Sequence, residues 1–354
     1  MFLLAFLLFI GVVPDTEAVE PVRVLIIASY NELDPCGAEQ IRGIRTKFNE
    51  IYGENAVEIR VLYMRGRKIN VTPESRKKVA WEFFDAFKRF KPNVVFLVDD
   101  IAIEYMTGFL LSDSSDYIVV FSGMNRSLLE YQKEFGFMER IERNYAVPKK
   151  NVTGVVEKIH VKVSLRFAEK LLKPQKGDTV VFLLGKDDVS KLVLNQIKAE
   201  LGQSESIFPF DDIYCKLLEV GTFDELIQKL DYINSNPRIP FYYPLTLRVD
   251  SAGKFLDMKD LAPYYLKIVR KPDVVLNKFF CNMGFLGGVS LDFQAMGEKA
   301  ASKAIDYLRG QKDIRKIHVE EAMDVITVFN ISRIRDLNFR IPFNFIINSE
   351  FVSK

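Results

Sequence analysis

Residues 92–102 read PNVVFLVDDIA. The run Val94–Val98 is β-branched and aromatic without a polar interruption, as expected of a strand covered on both faces, and it stops at two adjacent carboxylates, Asp99 and Asp100. Three further short β-branched runs are nearly apolar throughout: VRVLIIA (22–28), VEIRVLY (57–63) and YIVVFS (117–122). Between them, 74–90 places Val79, Phe83, Phe87 and Phe90 on one stripe, with Lys77, Lys78, Glu82 and Lys88 elsewhere, which predicts an amphipathic helix laid on a sheet. Strand, helix, strand at this rhythm predicts an α/β fold with a parallel, doubly wound sheet.

The rhythm recurs in TVVFLL (179–184), a helix near 189–201, IYCKLLEV (213–220), a helix near 222–235 and IPFYYPLTL (239–247). A second α/β lobe is therefore expected. Two stretches suit passages between lobes: KKNVTGVVE (149–157), containing Gly154, and MGFLGGVSLD (283–292), containing Gly284, Gly287 and Gly288, with a helix near 294–309 behind it. Glycine absorbs backbone rotation because its φ/ψ range is wide, and it suits a fixed turn equally well. The expected division is a signal peptide at 1–18, an N-terminal lobe of 22–152 with 289–324, and a C-terminal lobe of 155–286 with 326–350.

With 354 residues the chain is long enough for two cores. Its composition, 48% hydrophobic and 27% charged, is that of an ordered globular protein. A formal net charge of +2 argues against nucleic acid as the main partner. The opening MFLLAFLLFIGVV is shorter than the ~20 residues of a membrane span and matches the apolar core of a signal peptide, although no basic residue precedes it. Cleavage is expected after Ala18, leaving a periplasmic or extracytoplasmic protein without stable membrane insertion. The competing reading, a buried first strand, is weaker because 22–28 already supplies that strand.

In open parallel sheets, ligands bind beyond the carboxyl ends of the strands. That rule selects Ser29, Tyr30 and Asn31; Met64 and Arg65; Asp99 and Asp100; Gly123, Met124 and Asn125; and, in the second lobe, Lys186, Asp187 and Asp188. Tyr30, Tyr242 and Tyr243 lie near strand ends, where a ring can stack on a solute and a hydroxyl can bond to it. Asp100 suits a helix cap as well as a ligand hook. Arg65 would clamp a carboxylate if the solute has one.

The two histidines, His160 and His318, accompany no nucleophile motif, and no G-x-S-x-G, H-E-x-x-H, C-x-x-C or Walker sequence occurs. Acid pairs can hydrolyse glycosides, but no pair here stands apart from the others as a catalytic acid. A non-enzyme without metal or cofactor is expected. Cys36, Cys215 and Cys281 lack metal spacing; at most one disulfide, Cys215 to Cys281, can form, and buried thiols are the plainer reading.

ASYN (28–31), PNVVFLVDDIA (92–102), VVFSGMN (119–125) and NVTGVVE (151–157) occur in the order of landmarks in type I periplasmic solute-binding proteins. RVDSAGKF (248–255), MGFLGGVSLDFQAMGEKAA (283–301), LRG (308–310) and FRIPFNFIIN (339–348) continue the series. The chain resembles the ABC-transporter substrate-binding branch of that group, relatives of which are extracellular sensor domains of two-component kinases. The resemblance implies two Rossmann-like lobes, three crossovers and a small solute clamped between the lobes. It implies delivery of that solute to an ABC-transporter permease, or sensing through a membrane kinase as the alternative, with hydrolysis third. It carries ligand contact to Ser29, Tyr30, Asp99, Asp100, Gly123, Met124 and Asn125, and adds Glu157. Related sequences often have His at Asn31, an aromatic near Pro35 and Asn at Ile101, so this pocket differs from theirs.

Overall fold

The computed structural model describes residues 20–66, 69–112, 116–142, 145–245, 248–310 and 312–353. The expected signal peptide lies outside them. The first half runs β1 (Val22–Ala28), α1 (Pro35–Tyr52), β2 (Val57–Tyr63), α2 (Pro73–Phe90), β3 (Val94–Val98), α3 (Asp100–Leu110), β4 (Ile118–Met124), α4 (Leu128–Phe135), β5 (Met138–Ile141), β6 (Tyr145–Pro148) and β7 (Val152–Val156). The second runs α5 (Val161–Leu172), β8 (Thr179–Gly185), α6 (Asp188–Leu201), β9 (Ile207–Phe210), β10 (Ile213–Val220), α7 (Phe223–Ser235), β11 (Tyr242–Pro244), β12 (Arg248–Ser251), β13 (Lys254–Asp257), α8 (Met258–Ile268) and α9 (Phe279–Asn282). The chain ends with β14 (Gly287–Leu291), α10 (Phe293–Leu308), β15 (Val319–Glu321), β16 (Val325–Asn330), α11 (Ile331–Asp336), α12 (Phe343–Ile346) and β17 (Ser349–Val352).

In the first lobe the strands are ordered β2-β1-β3-β4-β7-β15-β6-β5, parallel from β2 to β15. Side chains alternate between faces, so Val24, Ile26, Val94 and Phe96 pack under α1 and α10, while Leu25, Ile27, Val95 and Leu97 pack under α2 and α3. That double burial explains why the sequence runs are unbroken. The antiparallel β5–β6 hairpin, which the sequence reading did not include, extends the edge.

The second lobe holds β11-β8-β10-β9, joined through single bridges at Asp273 and Val274 to β14-β16-β17. Among the described residues of the expected run 239–247, the strand is Tyr242–Pro244; Pro240, which has no N–H to give a ladder, precedes it. Cys215 and Cys281 belong to the cores on opposite faces of this lobe and are free thiols, as is Cys36, so the expected disulfide option is not used. Among the described residues no helix is long and apolar enough to cross a membrane.

The backbone passes between the two sheet systems at 157–160, at Asp292 and at 322–324. These passages lie side by side: Ala322 N–H donates to Val156 O at 2.9 Å, Asp292 N–H to Asp324 O at 3.0 Å, and the His160 Nε2 faces Ala322 O at 2.9 Å. Lys158 pairs with Glu321 across the first and third passages. None of the four expected hinge glycines is in a passage. Gly154 is inside β7, where a Cβ would stand 2.4 Å from Phe121 O. Gly287 and Gly288 are packed in β14, their Cβ positions 2.1 Å from Val328 O and 2.5 Å from Val275 O, and Gly284 (φ 109°) turns the chain after α9. They are close-approach residues.

Candidate functional site

The tips of β1, β3, β4 and β7 meet the amino terminus of α1 on the side of the first lobe that faces the second. Helix α1 starts here because Asp34 accepts from Gly37 N–H at 2.9 Å and Pro35 presets the first turn. Ser29 holds the tips together, its Oγ donating to Val98 O at 2.7 Å and accepting from Ala102 N–H at 2.8 Å. It is fully buried and structural.

The two adjacent acids have different tasks. Asp100 opens α3 and accepts from Asn125 N–H at 3.2 Å, Arg126 N–H at 3.1 Å and the Tyr131 hydroxyl at 3.1 Å. Its carboxylate fixes the loop after β4, not the helix it begins. Asp99 leaves the strand at φ 64° and ψ 169°, a region populated essentially by glycine and costly for any residue with a Cβ. This turn brings its carboxylate to Gln40 on α1, whose Nε2 donates at 3.2 Å. Gly123, at φ 79°, completes the fit, since a Cβ there would lie 2.6 Å from Asp99 Oδ1 and 2.9 Å from the Gln40 amide.

Asn125 donates from Nδ2 to Glu157 Oε2 at 3.2 Å, and its carbonyl accepts from Gln196 Nε2 of α6 at 3.4 Å, a contact between lobes. Tyr30 is half-buried at the tip of β1. Asn31 turns its own loop by accepting from Leu33 N–H at 2.9 Å and borders an open surface recess with Arg65 and Ile69. Three more of the expected contacts, like Ser29, have structural tasks. Met124 is a fully buried core residue; Tyr243 is also fully buried, stacked on Phe182 at 4.6 Å with its hydroxyl 3.2 Å from Ser164 Oγ. Asp187 caps α6, accepting from Val189 N–H, Ser190 N–H and Ser190 Oγ.

The second lobe instead reaches the site with Asn277 and Lys278, which follow the bridging segment 273–275. Lys278 Nζ lies 2.7 Å from Glu39 Oε1, and Asn277 Nδ2 lies 3.4 Å from Cys36 Sγ. The strand-tip rule would have selected both had the short run Asp273-Val274-Val275 been read as a strand. Gln40 had a signal too, a polar residue beside Ile41 on the buried stripe of α1.

Electrostatically the site is acidic. Burial pushes the Asp99 carboxyl well above the usual carboxylate range, and the charges of Asp34, Glu157 and Asp100 push it the same way, against the Gln40 hydrogen bond. Burial first, then Asp34 and Glu157, likewise raises the Cys36 thiol. An acid whose pKa is raised on folding binds more protons folded than unfolded, so its contribution falls as pH rises from the ordinary carboxylate range through the raised value. Asp99→Asn, which keeps the size and shape of the side chain, is therefore expected to raise the urea midpoint of the unliganded protein at pH 7. The gain should shrink toward zero at pH 4; a variant less stable than wild type at pH 7 would refute this account. Among the described residues no group of three His, Cys, Asp or Glu side chains is placed to hold a metal ion.

No protein-family model matches the chain, and no curated protein matches it. Solved structures do. A substrate-binding protein with adhesive properties from Clostridium difficile, in its ligand-free, open form, is similar with a TM-score of 0.68 at 14% identity, over 94% of this chain and 99% of that one. The ABC domain from Streptococcus pneumoniae in complex with L-Trp gives 0.61 at 14% identity, over 94% and 100%. A conserved domain protein from Vibrio cholerae gives 0.60 at 14%, over 95% and 100%. The chain has the two-lobed type I periplasmic-binding-protein fold.

Proposed function

We propose that this protein is an exported solute-binding receptor that clamps a small polar or aromatic-containing solute between its lobes and delivers it, unchanged, to an ABC-transporter permease. One observation carries the reading. Asp99, a buried acid at the mouth between the lobes, is held at φ 64° with Asp34 and Glu157 as its strongest charged neighbours, an arrangement that costs stability and suits binding. The contacts Glu39–Lys278 and Asn125–Gln196 mark where the lobes meet around it. A solute touching both sides would favour the closed state by its differential affinity for that state.

The test is a thermal-shift screen of the protein from Val19 onward against amino acids, amines, nucleosides, sugars and small peptides. A ligand at ~100 times its dissociation constant adds about 2.7 kcal/mol of stability. A hit should shrink the protein in solution scattering, vanish in Asp99→Ala and be recovered chemically intact. Silence across the library, or a hit that leaves the dimensions unchanged, would overturn the clamp.

A further inference from the structure

Helix α1 and the tips of β3, β4 and β7 gather hydrogen-bond acceptors at one place. The point a Cβ on Gly37 would occupy is 3.2 Å from Asp34 Oδ2 and 3.7 Å from Asp99 Oδ2, so both carboxylates border the same small volume. Glu157 is held toward them by Asn125. Gln40, fully buried, turns its Oε1 to the same side as Asp99 Oδ1, both within 2.9 Å of the Gly123 Cβ position, and that Oε1 has no hydrogen-bond partner. A buried acceptor left without a donor is destabilising, a cost that a bound donor would remove.

Among the described residues, four lysines and arginines near the strand tips are paired with other acids. Lys278 pairs with Glu39, Lys158 with Glu321, Arg65 with Glu32 and Lys186 with Glu225. The amino terminus of α1, which would otherwise suit a carboxylate, is capped by Asp34.

We propose that the solute is a cation, a small primary amine without a carboxylate, whose ammonium group sits among Asp34, Asp99 and Glu157 and donates to Gln40 Oε1. The proposal rests on the solute-clamp reading and adds the charge of the ligand. An ammonium group has three donors and no acceptor, which complements a wall of acceptors. The carboxylate of an amino acid would face these acids, a repulsive element that discriminates against zwitterions.

Isothermal titration calorimetry at pH 7 separates the possibilities with three matched pairs: tryptamine and L-tryptophan, tyramine and L-tyrosine, putrescine and L-ornithine. At least one amine should bind about tenfold or more tighter than its amino acid, and Asp99→Asn should weaken that amine by about tenfold or more. Glu157→Gln serves as a second variant, and urea midpoints confirm that both are folded. An amino acid binding as tightly as its amine, amine binding indifferent to both variants, or silence of all three amines would each overturn the proposal. If the amines are silent while the wider screen returns a neutral solute, the clamp stands and the cationic assignment falls.

Discussion

Arg333→Met should destabilise the second lobe by about 3–5 kcal/mol, because it strands a buried carboxylate. Arg333 is 1% exposed and Asp273 fully buried; the guanidinium donates to Asp273 Oδ2 from Nε at 2.9 Å and again from Nη2, and its remaining donors reach Val269 O at 2.8 Å and Leu266 O at 3.3 Å. Asp273 in turn accepts from Leu286 N–H, so the pair ties α11, the end of α8 and the turn before β14. Adding Asp273→Asn to Arg333→Met should recover part of the loss, since the uncompensated charge is then gone. The only tryptophan, Trp81, lies in α2 of the first lobe, edge-on to Phe109 at 4.6 Å. Circular dichroism should therefore show an early transition that tryptophan fluorescence follows weakly. Coincident wild-type transitions by both probes would mean that the ion pair adds nothing.

Gly297→Ala should cost about 2–3 kcal/mol, even though alanine is the better helix former by about 1 kcal/mol. Helices α1 and α10 cross at two glycines: a Cβ on Gly297 would stand 2.1 Å from Gln40 O, and one on Gly43 would stand 2.1 Å from Gln294 O. Those obstacles are backbone atoms, so no rotamer change relieves them and the helices must separate by roughly an ångström in a close-packed interior. Here the loss should appear in the fluorescence transition. Gly43→Ala with Gly297→Ala should cost less than the two single losses combined, because one separation accommodates both methyl groups. Gln40, which holds Asp99, is the residue Gly297 abuts, so solute affinity should fall along with stability. A neutral Gly297→Ala would show that the crossing is looser than its geometry.

Much of the fold was legible because covered strands leave short, mostly apolar, β-branched runs: the bounds of β1, β2, β3 and β10 coincide with VRVLIIA, VEIRVLY, VVFLV and IYCKLLEV. The site was legible only as far as strand tips reveal it. That rule pointed to Asp99, Gly123 and Asn125, which the structure places together, but a tip does not disclose which way a side chain turns, and Met124, Tyr243 and Asp187 turn inward or cap their own elements. Gln40, Asn277 and Lys278 escaped because they come from a helix and a strand fragment. Glycine content pointed away from the passages for a related reason: a glycine that lets a backbone approach reads the same in sequence as one that rotates.

The side-by-side passages also bear on how the chain is made. The first-lobe sheet takes β15 from 319–321, and its helix layer includes α10 from 293–308, both synthesised after nearly all of the second lobe. Neither lobe is continuous in sequence, so β1 to β7 must wait for a partner more than a hundred residues downstream before their α1 face is covered. Closing loops of that length slows folding and prolongs exposure of apolar surface. A ribosome-bound chain halted before residue 293 should accordingly lack the protease resistance of the finished first lobe, and should acquire it only once residue 321 has emerged.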